Sequence, residues 1–259
     1  MPDPRPRILC LHGGGTTGAI FHAQCRAVIQ GLPHFRLVFA SAPFPSEPGP
    51  DVLPVYEGWG PPFLSWLPWK SWHPQLDDAT TARAIMTCLD QAQAHDDACG
   101  GSGPWVGLLG FSQGAKIAAS VLLDCQVRRE KEPVENCYDD YRFGVLLAGR
   151  GPLVGLSNHT LGHPALVKPG DLVGLQRYER PLPHCQDDGL VLRMPTVHVH
   201  GLLDDGLEWH RKLARQYCDG KSTTVVEWAG PHRVPLRAED VVKLTAEVYR
   251  VARQCGVGV

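Results

Sequence analysis

Ser112 stands between two glycines in the stretch Gly110-Phe-Ser112-Gln-Gly114, which matches the pattern G-x-S-x-G. Apolar residues precede it over 106–111 and a helix-forming sequence follows it over 113–123, so the sequence predicts a strand, a sharp turn and a helix. A serine on such a turn is held where its hydroxyl can attack a carbonyl carbon. We therefore take Ser112 as a candidate nucleophile. The alternative is a glycine-rich turn without a chemical role.

A second glycine-rich loop, His12-Gly-Gly-Gly15, follows the first predicted strand. Backbone N–H groups in such a loop can converge on the oxyanion that forms when a carbonyl is attacked. We expect the N–H groups of Gly14 and Gln113 to be the donors, because Gln113 also begins a helix whose dipole favours negative charge. His12 is expected to brace the loop. A phosphate-binding loop or a plain turn is the alternative, although the sequence lacks the G-x-G-x-x-G pattern of dinucleotide sites.

A candidate acid and a candidate base follow later strands. Asp204 and Asp205 come just after the strand predicted over 196–201, and His232 follows the last strand. A nucleophilic serine needs a histidine as general base and a carboxylate that holds the histidine tautomer. The order of Ser112, an aspartate and His232 is that of α/β-hydrolases. On the residues alone either aspartate qualifies, and one of the two could serve only as a helix cap.

The other metal-ligating residues are interpreted as structural. His198 and His200 share one face of a predicted strand, but the sequence offers no convincing third ligand nearby, so a buried pair is favoured over a metal site. No metal and no organic cofactor are expected. The nine cysteines are scattered without a C-x-x-C pair, which is typical of reduced thiols in a cytoplasmic protein.

Strand and helix signals alternate along the 259 residues and predict one α/β domain, 1–259, with a mostly parallel sheet and helices on both faces. Loops at the carboxyl ends of parallel strands carry function, and all four candidate motifs are predicted to lie there. Two irregular stretches, 43–75 and 150–192, exceed ordinary loop lengths. We expect them to be lid-like insertions that shape a substrate pocket.

The first of these stretches is rich in aromatic residues. Tyr56, Trp59, Phe63 and Trp66 are candidate contacts for a lipophilic acyl chain, since aromatic side chains supply large apolar walls. The alternative is that they only pin a long loop to the core. Apolar residues of the stretch 150–192 form a candidate lid on the other side of the pocket.

Composition excludes several classes of protein. The formal net charge is −2 and no basic stripe is present, so nucleic acid is not expected as a partner. No apolar run reaches the length of a membrane span, and the N-terminal residues lack the pattern of a signal peptide. A cytoplasmic globular protein is therefore expected.

Several stretches together resemble the fungal family of serine hydrolases: LCLHGGG, SAPFPSEPGPDVLPVYEGWGP, LGFSQGA, HVHGLLDDGLEWHRKLA and GPHRVP. Within that family, the resemblance is to the thioesterases of polyketide gene clusters, such as that of the lovastatin pathway. It spans nearly the whole chain and implies an α/β-hydrolase fold. It also implies catalytic roles for Ser112, Asp204 and His232. Asp204 is favoured because the family's acid lies in a G-x-x-D pattern, matched here by Gly201 to Asp204.

The resemblance implies a trans-acting thioesterase that releases a polyketide acyl chain from an acyl carrier protein, which would be a transient partner. The sequence leaves other functions open. The same triad could serve a carboxylesterase, or an acyltransferase or cyclase with a nucleophile other than water. A catalytically silent fold that binds a synthase is the alternative outside enzymes. The sequence identifies neither the acyl chain, nor the partner synthase, nor the oligomeric state.

Overall fold

The computed structural model describes residues 2–50, 52–53, 55–131, 141–171 and 190–259. Within these residues, six strands form one sheet and two short strands form a separate antiparallel hairpin. The strands are β1 (Arg7–Leu11), β2 (Arg36–Ala40), β3 (Phe44–Ser46), β4 (Phe63–Ser65), β5 (Trp105–Phe111), β6 (Phe143–Leu147), β7 (Thr196–Gly201) and β8 (Thr223–Trp228).

The larger sheet has the order β2-β1-β5-β6-β7-β8, and all its neighbouring strands are parallel. Leu11 pairs with Gly110, and Gly110 pairs with Leu146, so the carboxyl ends of the three central strands are level. The mostly parallel sheet confirms the predicted fold class. Because every strand ends at the same edge, the loops after β1, β5, β7 and β8 meet there.

Helices cover both faces of the sheet. They are α1 (Gly18–Gln24), α2 (Arg26–Gly31), α3 (Asp78–Ala98), α4 (Gln113–Lys131), α5 (Leu207–Lys212) and α6 (Ala238–Gln254). A π-helical turn, Leu213–Tyr217, continues α5. Residues of α3 and α4 belong to one apolar cluster, and residues of α1, α2 and α6 belong to the other. Among the described residues, no helix is both long and apolar enough to cross a membrane.

The sheet separates the two clusters by the alternation of its side chains. Along β1, Leu9 and Leu11 enter the cluster with α3 and α4, whereas Ile8 and Cys10 enter the other. Successive side chains of a strand point to opposite faces, so one strand supplies both cores. All five residues of β1 are buried, as expected of a parallel strand covered on both sides.

The stretch 43–75 was expected to be irregular, but it contains the hairpin β3–β4 and a 3₁₀ turn at Glu57–Trp59. The hairpin lies against the first glycine-rich loop. Gly15 N–H donates to the Leu64 carbonyl at 2.9 Å, and Leu64 N–H donates to the Thr16 carbonyl at 2.9 Å. The insertion therefore forms part of the carboxyl edge of the sheet.

Part of the second stretch, 172–189, lies outside the described residues. Residues 150–171 pack on α4, which is buried continuously from Gly114 to Val127. Asp124 accepts hydrogen bonds from the hydroxyls of Ser157 at 2.5 Å and Thr160 at 2.7 Å. A helix that is buried all round needs a cover on each side. The described part of the expected lid supplies that cover for α4.

Candidate active site

Ser112 occupies the turn between β5 and α4, with a left-handed backbone of φ +54°. That conformation is strained for a residue with a side chain and persists only where the surroundings enforce it. A Cβ at Gly110 would collide with the Gly114 carbonyl oxygen, and a Cβ at Gly114 would collide with the Leu11 carbonyl oxygen. The two glycines of the motif therefore let β1, β5 and α4 close around the turn that holds Ser112.

His232, in the loop after β8, lies between Ser112 and Asp204. Its Nε2 is 3.0 Å from Ser112 Oγ, and its Nδ1 is 2.6 Å from Asp204 Oδ2. With Asp204 ionised, Nδ1 carries the proton and donates it, which leaves Nε2 to accept the serine hydroxyl proton. The ring of Phe111 packs against the imidazole, with centroids 5.0 Å apart. Three residues named from the sequence thus form one hydrogen-bonded chain.

The structure brings Asp204, and not Asp205, to the histidine. Asp204 is buried and Asp205 is exposed. The loop that carries Asp204 is held against the loop that carries His232 by a hydrogen bond from Leu203 N–H to the Gly230 carbonyl at 3.0 Å. Gly201 lies so close to Gly230 that a side chain there would meet its carbonyl oxygen. These contacts fix the separation between Asp204 and His232.

The Asp204 carboxylate is ionised at neutral pH. Burial raises the pKa of Asp204, but the hydrogen bonds from His232 and the Gly206 N–H, with the electrostatic effect of the nearby His232 and His210 rings, lower it to about 2. The Gly206 N–H donates to Asp204 Oδ1 at 2.7 Å, so each carboxylate oxygen has its own donor. A carboxylate held in this way fixes the tautomer and orientation of the adjacent imidazole.

The loop 12–15 approaches the serine from the end of β1. A Cβ at Gly13 would lie 3.6 Å from Ser112 Cβ, and a Cβ at Gly14 would lie 3.5 Å from Gln113 Oε1. Gln113 is the first residue of α4, where N–H groups have no acceptor within the helix. The two predicted oxyanion donors, Gly14 and Gln113, are therefore neighbours beside Ser112. Their role as donors remains a prediction.

His12 ties this loop to the chain after β2. Its Nε2 accepts the Ala42 N–H at 2.9 Å, which places the ring proton on Nδ1, 2.7 Å from the Gly13 carbonyl oxygen. Burial lowers the pKa of His12 to about 4, so the ring is neutral at physiological pH. His12 contacts backbone rather than Ser112 in these bonds, in keeping with the bracing role expected of it.

The side chain of Gln113 ties the start of α4 to the segment after β4, a contact that sequence reasoning missed. Its Oε1 accepts the N–H groups of Trp66 at 2.7 Å and Leu67 at 3.4 Å, and its Nε2 donates to the Leu67 carbonyl at 3.2 Å. The amide therefore mimics a backbone partner for the segment after β4. Nothing in the sequence around Gln113 indicated that its side chain would bind the backbone of another segment.

The four candidate substrate contacts lie in different environments. Trp66 is fully buried, and its indole N–H donates to the His12 carbonyl at 2.9 Å, which favours the alternative that it pins the insertion. Phe63 is buried in a small cluster against which Tyr56 packs. Trp59 is 53% exposed and packs edge-on against Tyr56, with centroids 5.7 Å apart. Substrate contact by these aromatic residues stays a prediction.

One group of side chains among the described residues has the geometry for a metal. Ligand atoms of Asp204, His210 and His232 lie within 4.8 Å of one another. Two of these residues already share the Nδ1 proton of His232, so a metal there would replace that proton. His210 was not singled out from the sequence. It follows Gly206 by one helical turn, and its N–H donates to the Gly206 carbonyl at 3.2 Å.

A family model described as serine hydrolase (FSH1) matches residues 1–244. The chain belongs to this family. Esterase pigG of Monascus ruber is 50% identical to this hydrolase over 256 residues, which cover 97% of this chain and 93% of that protein. Esterase claE of Penicillium crustosum is 45% identical over 253 residues, covering 97% and 94%. The enzyme class expected from the sequence, a serine hydrolase, is thereby confirmed.

Solved structures support the fold of this serine hydrolase. The crystal structure of Zea mays acyl-protein thioesterase 2 matches with a TM-score of 0.53 at 17% identity, covering 97% of this chain and 96% of that one. A carboxylesterase from Mesorhizobium loti matches with a TM-score of 0.53 at 14% identity, covering 96% and 90%. At such low identity the likeness identifies the α/β-hydrolase fold alone.

Proposed function

We propose that this serine hydrolase is a trans-acting thioesterase, in which Ser112, His232 and Asp204 release a polyketide acyl chain from an acyl carrier protein. The observation that carries the catalytic part is the hydrogen-bonded chain from Ser112 Oγ through His232 to Asp204. A nucleophile, a base in contact with it and a third group that orients the base are the requirements for nucleophilic catalysis. The polyketide part rests on the resemblance of five sequence stretches to such thioesterases.

In the acylation step, Ser112 Oγ attacks the thioester carbonyl carbon while His232 Nε2 takes the hydroxyl proton. Asp204 stabilises the imidazolium through the proton on Nδ1. The N–H groups of Gly14 and Gln113 donate to the oxyanion of the tetrahedral intermediate. The carbon–sulfur bond then breaks. The sulfur of the carrier arm takes the proton from His232 and leaves as a thiol. An ester of Ser112 with the acyl chain remains.

In the deacylation step, water attacks the ester carbonyl carbon as His232 Nε2 takes a proton from it. The same two N–H groups donate to the second oxyanion. The carbon–oxygen bond to Ser112 breaks, and His232 returns its proton to the serine oxygen. The product is a free carboxylic acid. An alcohol or carbon nucleophile on the acyl chain would instead give an ester or a ring by the same steps.

A thioester assay tests the catalytic assignment. The substrates are acyl N-acetylcysteamine thioesters of graded length and an acyl chain on a carrier protein, with thiol release and free acid both measured. The Ser112→Ala variant is expected to lose at least about a thousandfold in rate and to lose labelling by a fluorophosphonate probe. Ser102→Ala, at an exposed position before β5, is the matched control and retains both. Normal turnover by Ser112→Ala would refute the triad.

A carboxylesterase acting on small esters is the second candidate, because the relatives are named esterases. The two candidates differ in the leaving group and in the need for a carrier. A thioesterase of the proposed type has a higher kcat/KM for the carrier-bound thioester than for an oxygen ester of the same acyl chain. The reverse ratio, with no gain from the carrier, would support the carboxylesterase.

A further inference from the structure

A second histidine lies against the triad carboxylate. His210 Nε2 is 3.7 Å from Asp204 Oδ2, the oxygen that accepts the hydrogen bond from His232 Nδ1. The side chain of His210 is fully buried, and neither of its ring nitrogens has a hydrogen-bond partner among the described residues. A buried polar group without a partner is costly and calls for an explanation.

The position of His210 is fixed by the same turn that fixes the acid. Gly206 donates its N–H to Asp204 Oδ1 at 2.7 Å, and its carbonyl accepts the N–H of His210 at 3.2 Å. The turn 204–206 and the first turn of α5 therefore hold carboxylate and imidazole as one unit. The imidazole faces His232 on one side, with ring centroids 5.9 Å apart, and His200 on the other, 6.0 Å away.

Only one of the two histidines beside Asp204 can act as the base. Burial lowers the pKa of His210 to about 3; the nearby Arg150, His232 and His200 add to the effect, and Asp204 opposes it. The His210 ring therefore stays neutral during the reaction. The His232 side chain is 30% exposed and reaches Ser112, so the proton from the serine goes to His232.

We propose that His210 is a positioning residue that presents its Nε2–H to Asp204 Oδ2, as a second donor beside His232. At 3.7 Å the contact is longer than a hydrogen bond, so it acts in the resting site as a dipole aimed at the carboxylate charge. Contacts in resting active sites often tighten during catalysis. The proposal rests on the proposed triad and adds a residue to it.

A second donor on Asp204 has two consequences for His232. It holds the carboxylate in the orientation that fits the Nδ1 proton. It also neutralises part of the carboxylate charge, so that His232 is a weaker base than it would be beside Asp204 alone. The titratable and charged groups that face His210 are Asp204, His232, His200 and Arg150.

The pH dependence of kcat/KM for hydrolysis of p-nitrophenyl acetate tests the proposal, with His210→Phe and His210→Gln compared. Phenylalanine fills the site without a donor, and the glutamine amide can restore one near the place of Nε2. In His210→Phe, the full Asp204 charge acts on His232 and stabilises its imidazolium. The acid limb of the profile is therefore expected to move to higher pH by about half a unit or more, with kcat about tenfold lower. His210→Gln is expected to restore most of both.

His200→Phe is the matched control. His200 is an equally buried imidazole that packs against His210. Its acid limb is expected to stay in place. If His210→Phe fails to fold, His210→Met removes the donor with a more flexible side chain. An unchanged acid limb in a folded His210 variant without a donor would overturn the proposal, and so would a His200→Phe shift of equal size.

The two proposals fail in different ways. If Ser112→Ala still hydrolyses p-nitrophenyl acetate at the wild-type rate, the triad itself is refuted. If that variant is inactive while the His210→Phe profile matches wild type, only the positioning role of His210 is refuted.

Discussion

Asp204 and Asp205 are adjacent in the chain but occupy different environments. Asp204 is buried with a donor on each oxygen, whereas Asp205 is exposed. The sequence placed both after the same strand and could not separate them without a family pattern. The choice is made by the turn 201–206, which sends one side chain toward His232 and the other to solvent.

Asparagine substitutions separate the two positions. Asp204→Asn is expected to lower kcat/KM by about 10³ to 10⁴, because an amide can donate to Nδ1 and favour the wrong imidazole tautomer. Asp205→Asn is expected to stay within about twofold of wild type. The measurement is hydrolysis of a thioester at neutral pH, with thermal midpoints to show that both variants fold. Equal losses at the two positions would contradict the assignment of the acid.

The motifs and the order of the candidate catalytic residues were predictable from the sequence, whereas side-chain contacts between separate elements were not. G-x-S-x-G identified Ser112 because the need for small residues is local to one turn. Gln113 contacts residues that are distant along the chain. The approach of His210 to Asp204 depends on the pitch of a short helix. Spacing in one sequence contains no signal for either contact.

At the scale of elements, α4 organises the site through its first turn. Its first residue has its backbone beside Ser112 and its side chain on the backbone of Trp66 and Leu67. The insertion 43–75 is thereby attached to the helix that begins at the candidate nucleophile. The sequence predicted the strand, turn and helix correctly, but not the hairpin β3–β4, since its strands have three residues each.

Gln113→Ala tests this attachment. Its backbone N–H is retained, but the N–H groups of Trp66 and Leu67 lose an acceptor in a partly buried site. We expect a loss of about 1–3 kcal/mol in the free energy of unfolding, measured by urea titration, and faster proteolysis within the insertion. Gln75→Ala is the control, because its Nε2 donates to a carbonyl two residues away, that of His73, at 2.9 Å. Equal stability of the two variants would contradict the role of Gln113 as a tie.

At the scale of the whole molecule, burial keeps four histidines among the described residues neutral at physiological pH. Burial lowers the pKa of His12 and His200 to about 4 and that of His198 and His210 to about 3, from an ordinary value of 6.5. In the unfolded chain these rings take up protons below about pH 6.5, whereas in the folded protein they do so only near pH 3 to 4. Between about pH 4 and pH 6.5, the folded protein therefore binds fewer protons than the unfolded chain.

Stability is accordingly expected to be highest above about pH 6.5 and to fall as the pH drops toward 4. Each excluded proton contributes a slope of at most about 1.4 kcal/mol per pH unit. Urea midpoints measured from pH 7.5 to 4.5 give this slope. His198→Leu should flatten the dependence, and a variant of the exposed His34, His34→Asn, should leave it unchanged. A pH-independent midpoint would contradict the burial of neutral histidines.

The order β2-β1-β5-β6-β7-β8 also has a consequence for the chain as it leaves the ribosome. β1 ends at Leu11, but its second neighbour, β5, is complete only at Phe111, so β1 stays open on one side until about a hundred further residues have been made. Parallel pairs of this kind close slowly and leave apolar edges exposed meanwhile. His232, the candidate base, is synthesised later still. The complete set of candidate catalytic residues is therefore present only after both neighbours of β1 have been synthesised.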